Sequence, residues 1–222
     1  MGVYLMIIAL VDTYYRGKYF RYDRFWRESA LCKFAGFMST FSSELSVFTL
    51  TVITIDRLVC IIFPLKMKRL GMREALIVMP ALWTLVLFLS ASPLVGIEYF
   101  NNFYGRSGVC LALHITPDHV GGWEYSVFVF LVLNFVSFLL IFLSYLWMFF
   151  VAKRTTQAVR KSKALSDTSM AKRMTLIVMT DFLCWVPIIL LGFASLGGAR
   201  VPQQVCMCYL ALIVVLKLYF KI

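Results

Sequence analysis

The tetrapeptide Ile55-Asp56-Arg57-Leu58 closes an apolar stretch over 34–56, and Pro64 follows six residues after it. An acid and an arginine at the inner end of a membrane helix are expensive. At the bilayer centre each costs about 2.5–3.5 kcal/mol on insertion scales, and less near the interface, so such residues usually have a function. At the boundary between lipid and cytoplasm the pair reads as a switch, not a pore. Asp167 lies 18 residues, or five helical turns, before Trp185. If that helix extends into the cytoplasm, Asp167 faces Arg57 and the arginine stands between two carboxylates. That is the chemistry of a two-state latch. The competing reading places Asp167 in the short polar loop 164–169, facing water, and spacing alone does not choose.

In Cys184-Trp185-Val186-Pro187 the proline removes a backbone hydrogen bond and kinks its helix, and the bulky Trp185 can pivot just before it. An ordinary kinked packing helix has the same sequence. Asp181 lies one turn below Trp185, and an intramembrane carboxylate calls for a partner or water. Glu44 is a second one, 13 residues before Arg57. It could contact a ligand, bond between helices or relay protons. Its neighbours Ser39, Thr40, Ser42, Ser43 and Ser46 favour interhelical hydrogen bonding. Trp83 and Pro93 read as packing features. The run Tyr14, Tyr15, Tyr19, Phe20, Tyr22, Phe25, Trp26 reads as an outer loop anchored at the membrane interface. No catalytic constellation, phosphate-binding glycine loop or zinc spacing occurs, and His114 and His119 are isolated. The chain is read as a non-enzyme without cofactor or metal.

The elements that position these residues follow from composition. Of 222 residues, 61% are hydrophobic and only 15% charged, far from the soluble average of about 25% charged. Apolar segments at 34–56, 75–97, 125–152 and 174–197 each exceed the ~20 residues that cross a bilayer. Two shorter pieces, 1–11 and 205–222, read as incomplete spans, and no signal peptide is visible. The net charge of +11 sets the topology. The segments 57–73 and 153–173, with Asp56 and Glu74 at their edges, carry twelve bases against three acids; the opposite loops carry eight against six. The positive-inside rule therefore puts the first set in the cytoplasm. The bases flank spans and no nucleic-acid module is present, which argues against nucleic acid as partner. Cys32 and Cys110 both fall outside, where an oxidising environment permits a disulfide. It would close a loop of 78 residues, worth about 4 kcal/mol in chain entropy. Cys60 and Cys184 read as free thiols, and Cys206 and Cys208 lie near the outer end of the last segment.

These features resemble the rhodopsin-like (class A) G-protein-coupled receptors. The run Ser43-Glu44-Leu45-Ser46-Val47-Phe48-Thr49-Leu50-Thr51-Val52-Ile53-Thr54 looks like the third helix of the leucine-rich-repeat receptors, which include glycoprotein-hormone and relaxin receptors. Met1-Gly2-Val3-Tyr4-Leu5, Tyr15-Arg16-Gly17, the stretch Asn102-Phe103-Tyr104-Gly105-Arg106-Ser107-Gly108-Val109-Cys110, and Thr180-Asp181-Phe182-Leu183-Cys184-Trp185-Val186-Pro187 resemble the relaxin-receptor-like branch.

The resemblance implies an all-α seven-transmembrane bundle, with the six segments as helices two to seven and the first and last incomplete. It implies that Arg57 engages the G protein, with Asp56 its neighbouring acid and Asp167 its partner at the base of helix six. Leu65 matches the loop residue that inserts into the G protein, and Tyr145 the tyrosine that supports the active state. Trp185 and Pro187 match the helix-six pivot, and Asp181 an acid that pairs towards helix seven. Cys32 and Cys110 match the disulfide of the superfamily, and Glu44 an acid on the inner wall, a possible ligand-pocket residue. Helix one, the first half of helix two, an Asn-Pro-x-x-Tyr motif and the leucine-rich ectodomain of the family do not occur in this sequence. The expected function is plasma-membrane signalling from an extracellular peptide or protein hormone to a heterotrimeric G protein. A multi-pass transporter using Glu44 and Asp181, and a nonsignalling receptor isoform, are the alternatives.

Overall fold

The computed structural model describes residues 2–63, 70–112, 121–156, 186–187, 189–194 and 197. Among them all regular structure is helical: α1 (Gly2–Tyr15), α2 (Tyr19–Glu28), α3 (Ala30–Ile62), α4 (Met72–Ala91), α5 (Trp123–Ser126) and α6 (Asn134–Thr156). Between α5 and α6 the chain continues as a π-helical stretch, Val127–Leu133. Three helical runs, Ala30–Ile62, Met72–Leu94 and Trp123–Val151, are long and apolar enough to cross a membrane. α3 begins four residues before the apolar stretch 34–56 and ends six after it. Its backbone ladder continues past the apolar stretch into both flanks. Pro80 lies inside α4, as membrane helices tolerate.

The segment expected as an outer loop, 12–29, contains a helix. Gly17 (φ 76°) makes the turn that α1 needs to hand over to α2. Ser29 ends α2 and starts α3: its hydroxyl donates to the Trp26 carbonyl at 2.6 Å and accepts the Cys32 N–H at 3.2 Å. The second contact satisfies one of the orphan donors of a helix N-terminus.

The described chain forms two compact units. The first comprises Met1–Thr49, Arg73–His114 and Asp118–Asn134. Its centre is the segment 103–112, fastened from several sides. Cys110 is disulfide-bonded to Cys32 with a Cα–Cα distance of 5.4 Å. The Tyr4 hydroxyl donates to the Val109 carbonyl at 2.7 Å, and the Trp26 indole to the Gly108 carbonyl at 2.8 Å. Tyr104 donates to the Ser90 carbonyl at 2.7 Å, and burial pushes its phenol up, so it stays a neutral donor. Phe100, Phe103 and Tyr125 meet edge to face at 5.3–5.8 Å, with the Arg106 guanidinium 5.7 Å over the Phe103 ring.

This packing fixes Gly36. A Cβ there would lie 2.6 Å from the Cys110 carbonyl oxygen and collide with the Tyr104 ring. In an ordinary helix Gly→Ala gains up to about 1 kcal/mol. Here overpacking reverses the sign, and Gly36→Ala should destabilise by about 1–3 kcal/mol. Thermal unfolding of the detergent-solubilised protein checks this; a raised midpoint would contradict it.

The second unit comprises Leu50–Met72, Ile115–Pro117 and Phe135–Ile222. Within it the Phe135 and Phe193 rings meet edge to face at 6.1 Å, and Ile189 is buried.

Candidate functional site

The inner end of α3, in the second unit, holds Thr54, Asp56 and Arg57 within about one turn. Thr54 is buried and donates its hydroxyl to the Leu50 carbonyl at 2.7 Å, which leaves its oxygen able to accept. Tyr145 of α6 lies beside Thr54 and within the electrostatic reach of Arg57. The structure thus brings Tyr145 and Arg57 together, and it adds Thr54, which sequence reasoning passed over. The signal was present: Thr54 lies three residues before Arg57, close to it around the helix.

Asp56 has a different occupation. Its Oδ1 accepts the backbone N–H of Leu70 at 2.9 Å, tying the end of α3 to the residue pair that leads into α4. Neither ion pair found among the described residues, Arg24–Glu28 and Asp23–Arg27, involves Asp56 or Arg57. Pro187 sits half-buried in a helical turn. Leu65, Asp167, Asp181 and Trp185 lie outside the described residues, and with them the carboxylate half of the latch.

Glu44 belongs to the first unit. It is fully buried, and its Oε1 accepts from Asn134 Nδ2 at 2.9 Å. Asn134, equally buried, also donates to the Val129 carbonyl at 3.2 Å, inside the π-helical stretch. Glu44 Oε2 and Asn134 Oδ1 have no hydrogen-bond partner among the described residues. The neighbouring hydroxyls do not serve Glu44. Thr40, Ser42 and Ser43 each donate back to their own helix, to the carbonyls of Gly36, Ser39 and Thr40 at 3.0–3.2 Å. Such back-bonding is the usual resort of a hydroxyl in a helix with no partner in reach. Asn134 was missed because it stands alone in an apolar run, 90 residues away in sequence.

Comparison with known proteins agrees with this helical framework. The family described as "7 transmembrane receptor (rhodopsin family)" matches residues 4–221. The chain is 65% identical over 205 residues to "G-protein coupled receptor GRL101" of Lymnaea stagnalis, which covers 92% of this chain and 18% of that protein. It is 35% identical over 208 residues to "Relaxin receptor 1" of Mus musculus, covering 92% of the chain and 27% of the relative. It is 35% identical over 203 residues to the "Lutropin-choriogonadotropic hormone receptor" of Gallus gallus, covering 91% and 26%. The chain thus spans about a fifth to a quarter of the length of these relatives. They form a receptor class and not a class of enzymes, held in the plasma membrane by several passes. The chain belongs to the rhodopsin family of seven-transmembrane receptors, in its leucine-rich-repeat-containing, relaxin-receptor-like branch.

Proposed function

We propose that this chain is the membrane core of a receptor that passes occupancy by an extracellular peptide or protein hormone to a heterotrimeric G protein. The observation that carries the reading is the placing of Tyr145 beside Thr54 and Arg57 at the inner end of α3, in a chain whose relatives bear the names of G-protein-coupled and hormone receptors. In this reading the latch joins Arg57 to Asp167 at rest. Activation turns helix six about Trp185 and Pro187, with Asp181 pairing towards helix seven, and frees the guanidinium. Tyr145, already next to Arg57, supports the released arrangement, and Leu65 completes the contact with the Gα subunit. Asp56 keeps the second cytoplasmic loop in place through Leu70. Glu44 stands as a pocket acid on the inner wall. The transporter alternative loses its support, since each of the relatives named above is a receptor.

Asp167→Ala tests the latch. In cells, the Lymnaea stagnalis receptor carrying this chain in place of its 205 matching residues provides a complete receptor frame. Asp167→Ala should raise hormone-independent G-protein activation several-fold at equal surface expression. Unchanged basal activity would reject the latch.

A further inference from the structure

α2 presents an exposed flank. Tyr22 and Phe25, three residues apart, share it, and Arg21 stands four residues before Phe25 on the same side. Phe25 is 70% exposed and Tyr22 42%. The other side of α2 is engaged with the protein: Trp26 is buried against Gly108, and Arg27 is paired with Asp23.

The exposed flank is continuous with the end of α1. The rings of Tyr14 and Tyr15 lie 4.9 Å apart, and those of Tyr15 and Tyr22 5.3 Å apart. α1 is a 14-residue apolar helix, and as the outer end of a membrane span its last turn would reach the level where hydrocarbon gives way to headgroups. Tyr and Trp concentrate at that level. The Tyr15–Tyr22 contact therefore places the flank of α2 at the same depth. The connections allow no escape from it. Residues 16–18 join α1 to α2, and Ser29 alone separates α2 from the membrane helix α3. A ten-residue helix, about 15 Å long at 1.5 Å per residue, is thus tethered by short links to the apolar helix α1 and to the span-length helix α3. Arg16, Lys18 and Arg21 are exposed and take part in neither ion pair found among the described residues.

We infer that α2 is an interfacial helix that binds the outer leaflet: Tyr14, Tyr15, Tyr22 and Phe25 seat in the headgroup and glycerol layer, and Arg16, Lys18 and Arg21 hold phospholipid phosphates. Aromatic rings beside cationic side chains are what such a helix needs, because the rings tolerate the half-wet layer and the cations meet the phosphates. The occupant is lipid and not a protein partner, because the tyrosine contacts and the two short tethers set the flank at lipid depth.

The test uses the whole chain in nanodiscs of phosphatidylcholine with a trace of photoreactive phospholipid. One probe carries its diazirine on the headgroup side, the other at mid-chain. After irradiation, adducts are mapped by mass spectrometry. The peptide covering 19–28 should take the headgroup-side probe at least fivefold more than the mid-chain probe. The double variant Arg21→Gln/Phe25→Ser should lower that labelling at least threefold, with mid-chain labelling of α4 unchanged. Both substituted side chains are exposed, and an intact Cys32–Cys110 bond certifies the fold. Absent headgroup adducts on 19–28 while α4 is labelled, or equal labelling in the variant, would overturn the inference. So would protection of 19–28 from both lipid probes and a water-borne carbene, the pattern of a protein partner.

Discussion

Cys32→Ser and Cys110→Ser should each destabilise the first unit by about 4 kcal/mol, the chain entropy released when a loop of 78 residues opens. The bond does more than close a loop. Both sulfurs are fully buried, and Cys110 directly follows Gly108 and Val109, whose carbonyls Trp26 and Tyr4 hold. Losing the link lets 103–112 leave as a piece, and with it the aromatic cluster of Phe100, Phe103 and Tyr125. The two single variants and the double should therefore be equally unstable, because each removes the same bond. Reductant should lower the wild-type unfolding midpoint to that of the variants and leave theirs alone. A wild-type midpoint that ignores reductant, or variants that unfold with the wild type, would show that the hydrogen bonds hold the segment without the disulfide.

Asn134→Leu should be the second large effect. It strips Glu44 of its described hydrogen-bond donor and leaves the Val129 carbonyl in the π-helical stretch without its side-chain partner. A buried polar group left unpaired costs about 1–3 kcal/mol, more if charged. Glu44→Leu removes the acid along with its need for a donor, so it should cost less. The telling quantity is the double variant. Glu44→Leu/Asn134→Leu should be more stable than Asn134→Leu alone, because the stranded carboxylate is gone. A double-mutant cycle on unfolding free energies reads this directly. Strict additivity would mean the two side chains act independently and the 2.9 Å contact carries no coupling.

Much of this architecture was legible in the residues. The apolar runs could be placed because a membrane helix must satisfy its own backbone and face lipid along its length, which writes itself into composition. The Cys32–Cys110 pair followed from topology, since both thiols fell on the oxidising side. α2 was not legible as a helix. Its sequence alternates aromatic and charged residues, and the contacts that hold it, Trp26 to Gly108 and Ser29 to Cys32, reach across the fold or lie at its end. The π-helical stretch was equally hidden, for Val127–Leu133 contains neither Gly nor Pro to announce a departure from regular helix. Interhelical bonding by Glu44 was foreseen, but its partner was not legible, for a physical reason. Hydroxyls one turn away are near in sequence, but they turn inward to their own carbonyls. The carboxylate reaches instead to an amide on a helix that only tertiary packing brings near. Thr54 was overlooked although it lies one turn before Arg57: in sequence it is one more small residue in an apolar run, and only tertiary packing brings Tyr145 near both.

The most direct test of receptor function is nucleotide exchange on purified components. The Lymnaea stagnalis receptor carrying this chain, reconstituted in nanodiscs, is mixed with a panel of Gα subunits and Gβγ, and GTP uptake is followed over time. The account predicts that at least one Gα exchanges roughly tenfold faster than without receptor, and that Arg57→Ala returns it to the receptor-free rate while the Cys32–Cys110 bond stays intact. Undiminished exchange with Arg57→Ala, or no acceleration with any Gα, would contradict the claim that this chain carries a G-protein switch at the inner end of α3.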